Sequence, residues 1–368
     1  MGEKASAVPP ARTASNTGTK PSLEDVRQIL VFRPNAVGDF VFALPCLWSL
    51  RAAYPAAALI YVGRPWHAEF LDRGRTPVDE VLVLPPCSGI NADAHHAPTL
   101  DSFIEGVRQR RIDLALQIYG GGRIANPLIM RFGARTTLGL QAPDAPALDG
   151  QISYSSLQNR RLQLLEVAAL AGARPVLPLP ELTVLPEDRQ AVAELLHAVD
   201  APFVLLHPGA SDPRRRWPAS GFSAIGDRLA AMGFRVLVHG VASETSLCRA
   251  VTEAMRHAAI DVSGRLSLGG LCGLIERASL LVSNDTGPLH LATAIGTPVV
   301  GIYWLGNLVE SMPLQQHLHR AAWATDARCP VCQRLNLDER CEHEASFVGS
   351  VKVEQVLTMA EELLAVSV

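Results

Sequence analysis

Apolar positions along this chain come in short blocks. Short, mainly apolar runs at 28–32, 57–62, 80–84 and 113–118 each end in a polar or glycine-containing turn. They are too short for helices and lack the in–out alternation of a half-wet strand, which marks strands buried on both faces. Between them, residues 40–53, 99–111, 124–132 and 157–172 repeat apolar positions at helical spacing. Pro45 lies inside the first of these segments, which predicts a kink or a late helix start there. Leu177-Pro178-Leu179-Pro180 breaks the pattern, and the alternation then restarts. It gives helices at 187–199, 218–232, 243–257 and 267–277, and strands at 203–207, 235–239, 260–262, 280–282 and 299–303. Strand–helix alternation at this spacing predicts parallel, doubly wound α/β sheets. The expected division is a first domain at 23–178 and a second at 179–350. A final segment, 351–368, carries a helix over 353–366 that crosses back to brace the first domain. Ligands should sit in the cleft at the carboxyl ends of the strands.

Composition narrows the class. The 368 residues suffice for two full cores, and 48% apolar with 19% charged is ordinary for a globular chain. A net charge of -3 excludes a generally basic nucleic-acid binder. No apolar run approaches the ~18 residues of a membrane span. Seven cysteines in a chain this long do not form a disulfide scaffold and point to a reducing, cytoplasmic compartment. Residues 1–22 are rich in Ala, Ser, Thr, Pro, Gly and Lys and read as a disordered tail, not a signal peptide. Met1-Gly2 followed by Ser6 fits a myristoylation pattern only formally.

The richest chemistry lies at 279–303. Leu280-Leu281-Val282 runs into Ser283-Asn284-Asp285-Thr286-Gly287, and Pro288 suits the first turn of a helix. A strand, a polar turn and a helix start together offer free N–H groups and a positive dipole end, which suit a phosphate. Asp285 and His290 add a carboxylate and an imidazole beside it. A plain helix cap at Asp285 or Thr286, with His290 on a wet face, explains the spacing equally well. The wording Asp285-Thr286-Gly287-Pro288-Leu289-His290, however, resembles the D-T-G-x-x-H signature of the family 9 glycosyltransferases, which include the lipopolysaccharide heptosyltransferases.

That resemblance spans roughly 27–350 and implies a GT-B fold, two Rossmann-like doubly wound domains facing a central cleft. It implies an inverting enzyme that moves a heptose from a nucleotide-activated donor, ADP-heptose, to an inner-core sugar of lipopolysaccharide. Arg33-Pro34-Asn35-Ala36-Val37-Gly38-Asp39 is similar to the family's N-terminal motif, whose Asp is the catalytic base; Asp39 takes that role here. By the same resemblance Ser211, Arg215 and Arg216, before Trp217-Pro218, hold the donor phosphates, with Arg215 in the place of the family's usual Lys. Glu244 holds the donor ribose, and Asp285, Thr286, Gly287 and His290 complete the donor site. Without the resemblance, Asp39 reads as an N-cap, the arginines as a solvated loop and Glu244 as a first-turn residue. Arg33, Arg64 and Arg123 follow strands on one edge and are candidates for an anionic acceptor, although a lone Arg there is usually just solvated.

No cofactor is expected, because the chain has no Asp-x-Asp to hold a divalent ion. Cys329, Cys332, Cys341 and His343 have metal-like spacing at first glance, but eight residues separate the second cysteine from the third. Free thiols packing a loop are the preferred reading. The expected partners are a nucleotide-sugar and a lipid-linked glycan, with no nucleic acid. Such an acceptor implies peripheral work at the cytoplasmic face of the inner membrane. The alternatives are a GT-B transferase using another nucleotide-sugar or a protein acceptor, or a degenerate binding module without catalysis.

Overall fold

The computed structural model describes residues 25–71, 74–90, 99–178, 180–197, 199, 201–337 and 339–366. The tail expected at 1–22, with its myristoylation match, lies outside the described residues. Among the described residues, twelve strands form two six-stranded sheets. The first holds β1 (Gln28–Phe32), β2 (Ala58–Gly63), β3 (Glu80–Val83), β4 (Leu114–Gln117), β5 (Thr136–Gln141) and β6 (Gly150–Ser153), in the order β3-β2-β1-β4-β5-β6. The second holds β7 (Phe203–His207), β8 (Arg235–Val238), β9 (Ala259–Asp261), β10 (Leu280–Asn284), β11 (Val299–Trp304) and β12 (His319–Ala324), in the order β12-β11-β10-β7-β8-β9. Every pairing is parallel; Phe32 registers with Gln117 across β1 and β4, and Ser283 with His207 across β10 and β7.

In each sheet the strand order reverses once, between β1 and β4 and between β7 and β10. Such a switch point opens a crevice at the carboxyl ends of the strands, where a ligand can enter. Helices cover both faces, which is why the strands read as unbroken apolar runs. Leu30 and Phe32 pack on Ile104, Val107, Ile129 and Phe132, whereas Val204 and Leu206 pack on Phe222, Ile225 and the last helix. A third apolar cluster belongs to both halves, joining Val31 and Leu44 to Leu205, Leu281, Leu291 and Tyr303.

Polar ties reinforce this joint. Arg75 pairs with Asp188 through both guanidinium nitrogens at 2.5 and 3.0 Å, and both side chains are buried. The Trp48 indole N–H donates to the Glu181 carbonyl at 2.8 Å, and the Glu181 N–H donates to Ala294 at 2.7 Å.

Three expectations need correction. The first helix, Val37–Ala53, runs through Pro45 and starts earlier than residue 40, not later. Its apolar face is buried, and that packing outweighs one missing backbone hydrogen bond. The last helix, Val353–Val366, sends Val356, Ala360 and Leu363 into the core of the second sheet instead of crossing to the first. Strands β5, β6 and β12 and helices Pro65–Phe70 and Leu305–Ser311 were not expected. β5 hides its character behind Gly139, where a Cβ would lie 2.5 Å from the Gln117 carbonyl oxygen.

Candidate active site

The two switch points face one cavity of about 360 Å³. From the first sheet it receives Arg33 and Asp39 after β1 and Gly120 after β4. From the second it receives Ser211 and Arg215 after β7 and Asp285, Thr286 and Gly287 after β10. Two helices, Val37–Ala53 and Gly287–Ile295, begin at its wall, and neither has a side-chain hydrogen bond capping its first turn. Their close approach depends on glycine. A Cβ on Gly38 would sit 2.9 Å from Cδ2 of His290, and one on Gly287 would sit 3.2 Å from Cβ of Val37. Two positive helix ends therefore point at the same volume, an arrangement suited to an anion with more than one phosphate.

Asp285 is the polar centre of the second-sheet wall. Its carboxylate is buried and accepts from His290 Nε2 at 3.0 Å and Ser311 Oγ at 3.0 Å, with Arg215 Nη1 3.5 Å away. Burial pushes this carboxyl up, but the hydrogen bond and charge of His290, with Arg215 and Ser311, outweigh it and hold it below the usual range. Arg215 also donates to the Asp285 carbonyl at 3.2 Å, so it bridges the loops after β7 and β10. The His290 ring stands edge-on to Phe42 of the first helix, with centroids 4.6 Å apart.

Across the cavity, the Asp39 carboxylate is 38% exposed and is held by a residue that is itself only 2% exposed. Arg33 Nη2 meets Asp39 Oδ1 at 3.0 Å, Nε donates to the Asp39 carbonyl at 2.7 Å, and Nη1 donates to the Ile118 carbonyl. The ion pair engages Oδ1 and leaves Oδ2 for an incoming group.

A family model for glycosyltransferase family 9 (heptosyltransferase) matches residues 152–336, half of the sequence. The chain belongs to glycosyltransferase family 9. This glycosyltransferase is similar to lipopolysaccharide heptosyltransferase 2 of Salmonella typhimurium, with 24% identity over 300 residues, covering 75% of this chain and 82% of the relative. Among solved structures, a family 9 glycosyl transferase from Veillonella parvula superposes with a TM-score of 0.75 at 21% identity, covering 92% of this chain and 97% of the other. The ADP-heptose lipopolysaccharide heptosyltransferase II of E. coli gives 0.72 at 19% identity, covering 92% and 99%. The architecture is GT-B.

The residues that the family motif singles out do not all meet in this glycosyltransferase. Asp39, Ser211, Arg215, Asp285, Thr286, Gly287 and His290 line the cavity. Arg216 does not: its Nε and Nη2 both donate to the Ala210 carbonyl, at 2.9 and 2.7 Å, stiffening its own loop. Glu244 also stands outside this wall, on the far side of β7. Its carboxylate accepts from the Val241 N–H at 3.0 Å, and a Cβ on Gly209 would come within 2.3 Å of it. Arg33 lines the cavity but is not free for an acceptor, because it holds Asp39 and Ile118. Arg64 donates to the Pro34 carbonyl at 2.8 Å and is not part of the lining. Arg123 pairs with Asp144 and borders a neighbouring cavity of about 390 Å³ that shares Gly120 and Tyr154 with the first.

Sequence reasoning missed Tyr154, Arg160, Asn307, Glu310 and Ser311, all on the cavity wall. Arg160 crosses the cleft to Glu310 at 2.9 Å and lies over the Tyr154 ring at 5.0 Å. The last three of the five follow the carboxyl end of β11, and the rule that ligands gather at strand ends would have pointed there.

The cysteine group behaves unlike its spacing. One ligand atom from each of Cys329, Cys332, Cys341 and His343 lies within 4.8 Å of the others, and His343 Nδ1 is buried with no hydrogen-bond partner. The chain doubles back at 328–335, where Arg328 bridges antiparallel to Leu335, so distance along the chain does not separate the thiols. Three thiols and one imidazole fit a tetrahedral ion.

Proposed function

We propose that this glycosyltransferase moves a heptose from ADP-heptose to an inner-core sugar of lipopolysaccharide, with inversion at the anomeric carbon. The carrying observation is the convergence of Asp39 from one half with Asp285, Arg215 and two uncapped helix ends from the other on a single cavity. The acceptor hydroxyl approaches Oδ2 of Asp39 and gives up its proton as its oxygen bonds to the anomeric carbon. The bond from that carbon to the diphosphate breaks on the opposite face, and ADP leaves with the electron pair. Arg215, the helix starting at Gly287 and the helix starting at Val37 meet the charge that develops on the leaving phosphate. Asp285 binds no proton in this scheme; it fixes His290, Arg215 and Ser311 around the donor.

The acceptor is lipid-linked in this reading, so the reaction belongs at the cytoplasmic face of the inner membrane. No helix among the described residues is long and apolar enough to cross a membrane, which fits peripheral contact. Glu244 is kept as the ribose ligand: the missing side chains of Gly209 and Gly240 let its carboxylate pack against the backbone at the carboxyl ends of β7 and β8.

Thermal shift with ADP, UDP, GDP and ADP-heptose, on the wild type and on Asp39→Ala, tests the proposal. ADP ligands alone should stabilise both proteins, and only the wild type should release ADP in the presence of acceptor. Preference for UDP or GDP would displace heptose as the sugar. Binding without turnover in either protein would favour a degenerate nucleotide-sugar module.

A further inference from the structure

The cysteine group contributes nothing to the cavity lining and takes no part in the transfer. It is nevertheless a constructed turn. The Cys329 N–H donates to the Arg334 carbonyl at 2.9 Å, the Gln333 N–H donates back to the Cys329 carbonyl at 2.9 Å, and Arg328 bridges to Leu335. Gln333 sits in the left-handed region at φ 61°, which closes the turn tightly. The Val331 N–H points at Cys329 Sγ, 3.4 Å away. An amide aimed at sulfur stabilises thiolate charge, as the outer ligands of a metal site do. Cys341 and His343 then return to the same point, Cys329 and Cys341 are buried, and His343 Nδ1 has no other partner. An ion with bonds of about 2.0–2.3 Å satisfies all four, and a closed set of three thiolates and an imidazole is that of structural zinc.

This turn is fastened to the loop that carries Arg215. Asn336, almost fully buried, accepts through Oδ1 from the Cys341 N–H at 3.0 Å and from Arg214 Nη1 at 3.3 Å. Arg214 is clamped on Asp212 at 2.6 Å and lies 5.8 Å over the Trp304 ring. Just past the group, the Phe347 N–H donates to the Arg214 carbonyl at 2.8 Å, and Ser346 Oγ donates to the Arg216 carbonyl at 2.7 Å. Arg215, between these two held residues, is the one that reaches Ser211 and Asp285 in the cavity.

We propose that Cys329, Cys332, Cys341 and His343 hold a zinc ion, and that the ion, through Asn336 and Arg214, keeps Arg215 at the donor phosphates. The second half of this proposal rests on the nucleotide-sugar reading of the cavity. The ion is a positioning element and touches no reacting atom.

Metal analysis of the full-length chain, purified without a histidine tag, should find one zinc per chain, lost in the double variant Cys329→Ser/Cys341→Ser. Cobalt in its place should give thiolate charge-transfer bands in the near-ultraviolet and tetrahedral ligand-field bands in the visible, a readout independent of activity. Calorimetric titration with ADP should show about tenfold weaker binding after chelation, restored by added zinc. Asn336→Ala should keep the metal and the cobalt bands yet show the same weakening, which separates a lost brace from a lost fold. Absence of both zinc and cobalt bands overturns the site. Stoichiometric iron overturns the choice of zinc. Unchanged ADP affinity in the Asn336 variant overturns the brace. A zinc-loaded wild type that does not bind ADP at all would remove the donor reading, while the metal assignment would stand on its spectrum.

Discussion

Replacing Arg33 with Met separates two roles for this residue, recognition of an anionic acceptor and orientation of the base. In the structure Arg33 is only 2% exposed and its three nitrogens donate to the Asp39 carboxylate, the Asp39 carbonyl and the Ile118 carbonyl. Methionine fills most of the volume but leaves the Ile118 carbonyl without its donor, whereas the Asp39 carbonyl keeps the helical N–H four residues on; a buried acceptor left unpaired costs about 1–3 kcal/mol. The Asp39 carboxylate is more than a third exposed, so water replaces much of its lost ion pair and little is added on that account. A destabilisation of about 1–3 kcal/mol follows, readable as a shifted urea midpoint. The catalytic effect is larger than the stability effect suggests, because a base displaced by about 1 Å loses roughly 100-fold in rate. Initial-rate measurement of ADP release, varying donor and acceptor separately, should show kcat falling by about that factor. Both KM values should stay within about threefold, since all three Arg33 nitrogens are already engaged by Asp39 and Ile118. Arg33→Lys should recover part of the rate, having one charge but not the planar fork. An acceptor KM raised about tenfold or more at unchanged kcat would refute this reasoning and return Arg33 to acceptor recognition.

Further changes probe the rest of the site. Asp285→Asn removes the charge that gathers His290, Arg215 and Ser311, and ADP should bind about 10–100-fold more weakly by calorimetry. Gly38→Ala places a methyl 2.9 Å from His290 between two helix backbones, so the melting temperature and kcat should both fall, whereas Gly106→Ala, with open space around it and away from the cavity, should lower neither. Acid should also weaken the fold. Burial pushes His67, His239 and His319 down to about 3 and His207 to about 4, and the last pairs with His239 through facing Nδ1 atoms 3.2 Å apart. A lowered folded value means that the unfolded chain takes up the proton first. Stability should therefore be constant above about pH 6.5 and fall toward pH 4, by at most about 1.4 kcal/mol per pH unit for each histidine. Urea midpoints measured from pH 8 to pH 5 check this, and a flat profile would contradict it.

Much of the fold was legible because burial on both faces leaves an unmistakable trace. β1, β7 and β10 are solid apolar blocks, and the turns after them carry Asp39, Arg215 and Asp285 in short, specific wording. What stayed hidden was encoded in three dimensions. Arg33 reads as a solvated cation at a strand end, yet the Asp39 turn folds over it. Glu310 and Ser311 sit on a seven-residue helix with too few turns to show periodicity. Arg160 looks like any polar residue of a helix until the two halves meet. The thiol group looked too widely spaced because counting residues ignores a chain that doubles back.

The contact between Gly38 and Gly287 has a mechanical consequence. Two helices touch there almost backbone to backbone, directly beside the reacting groups, and the shared apolar cluster continues behind them. If one sheet rocks against the other, this contact is the fulcrum. Asp39 and Thr286 lie beside that fulcrum, so such a rocking would change their separation least and the width of the outer rim most.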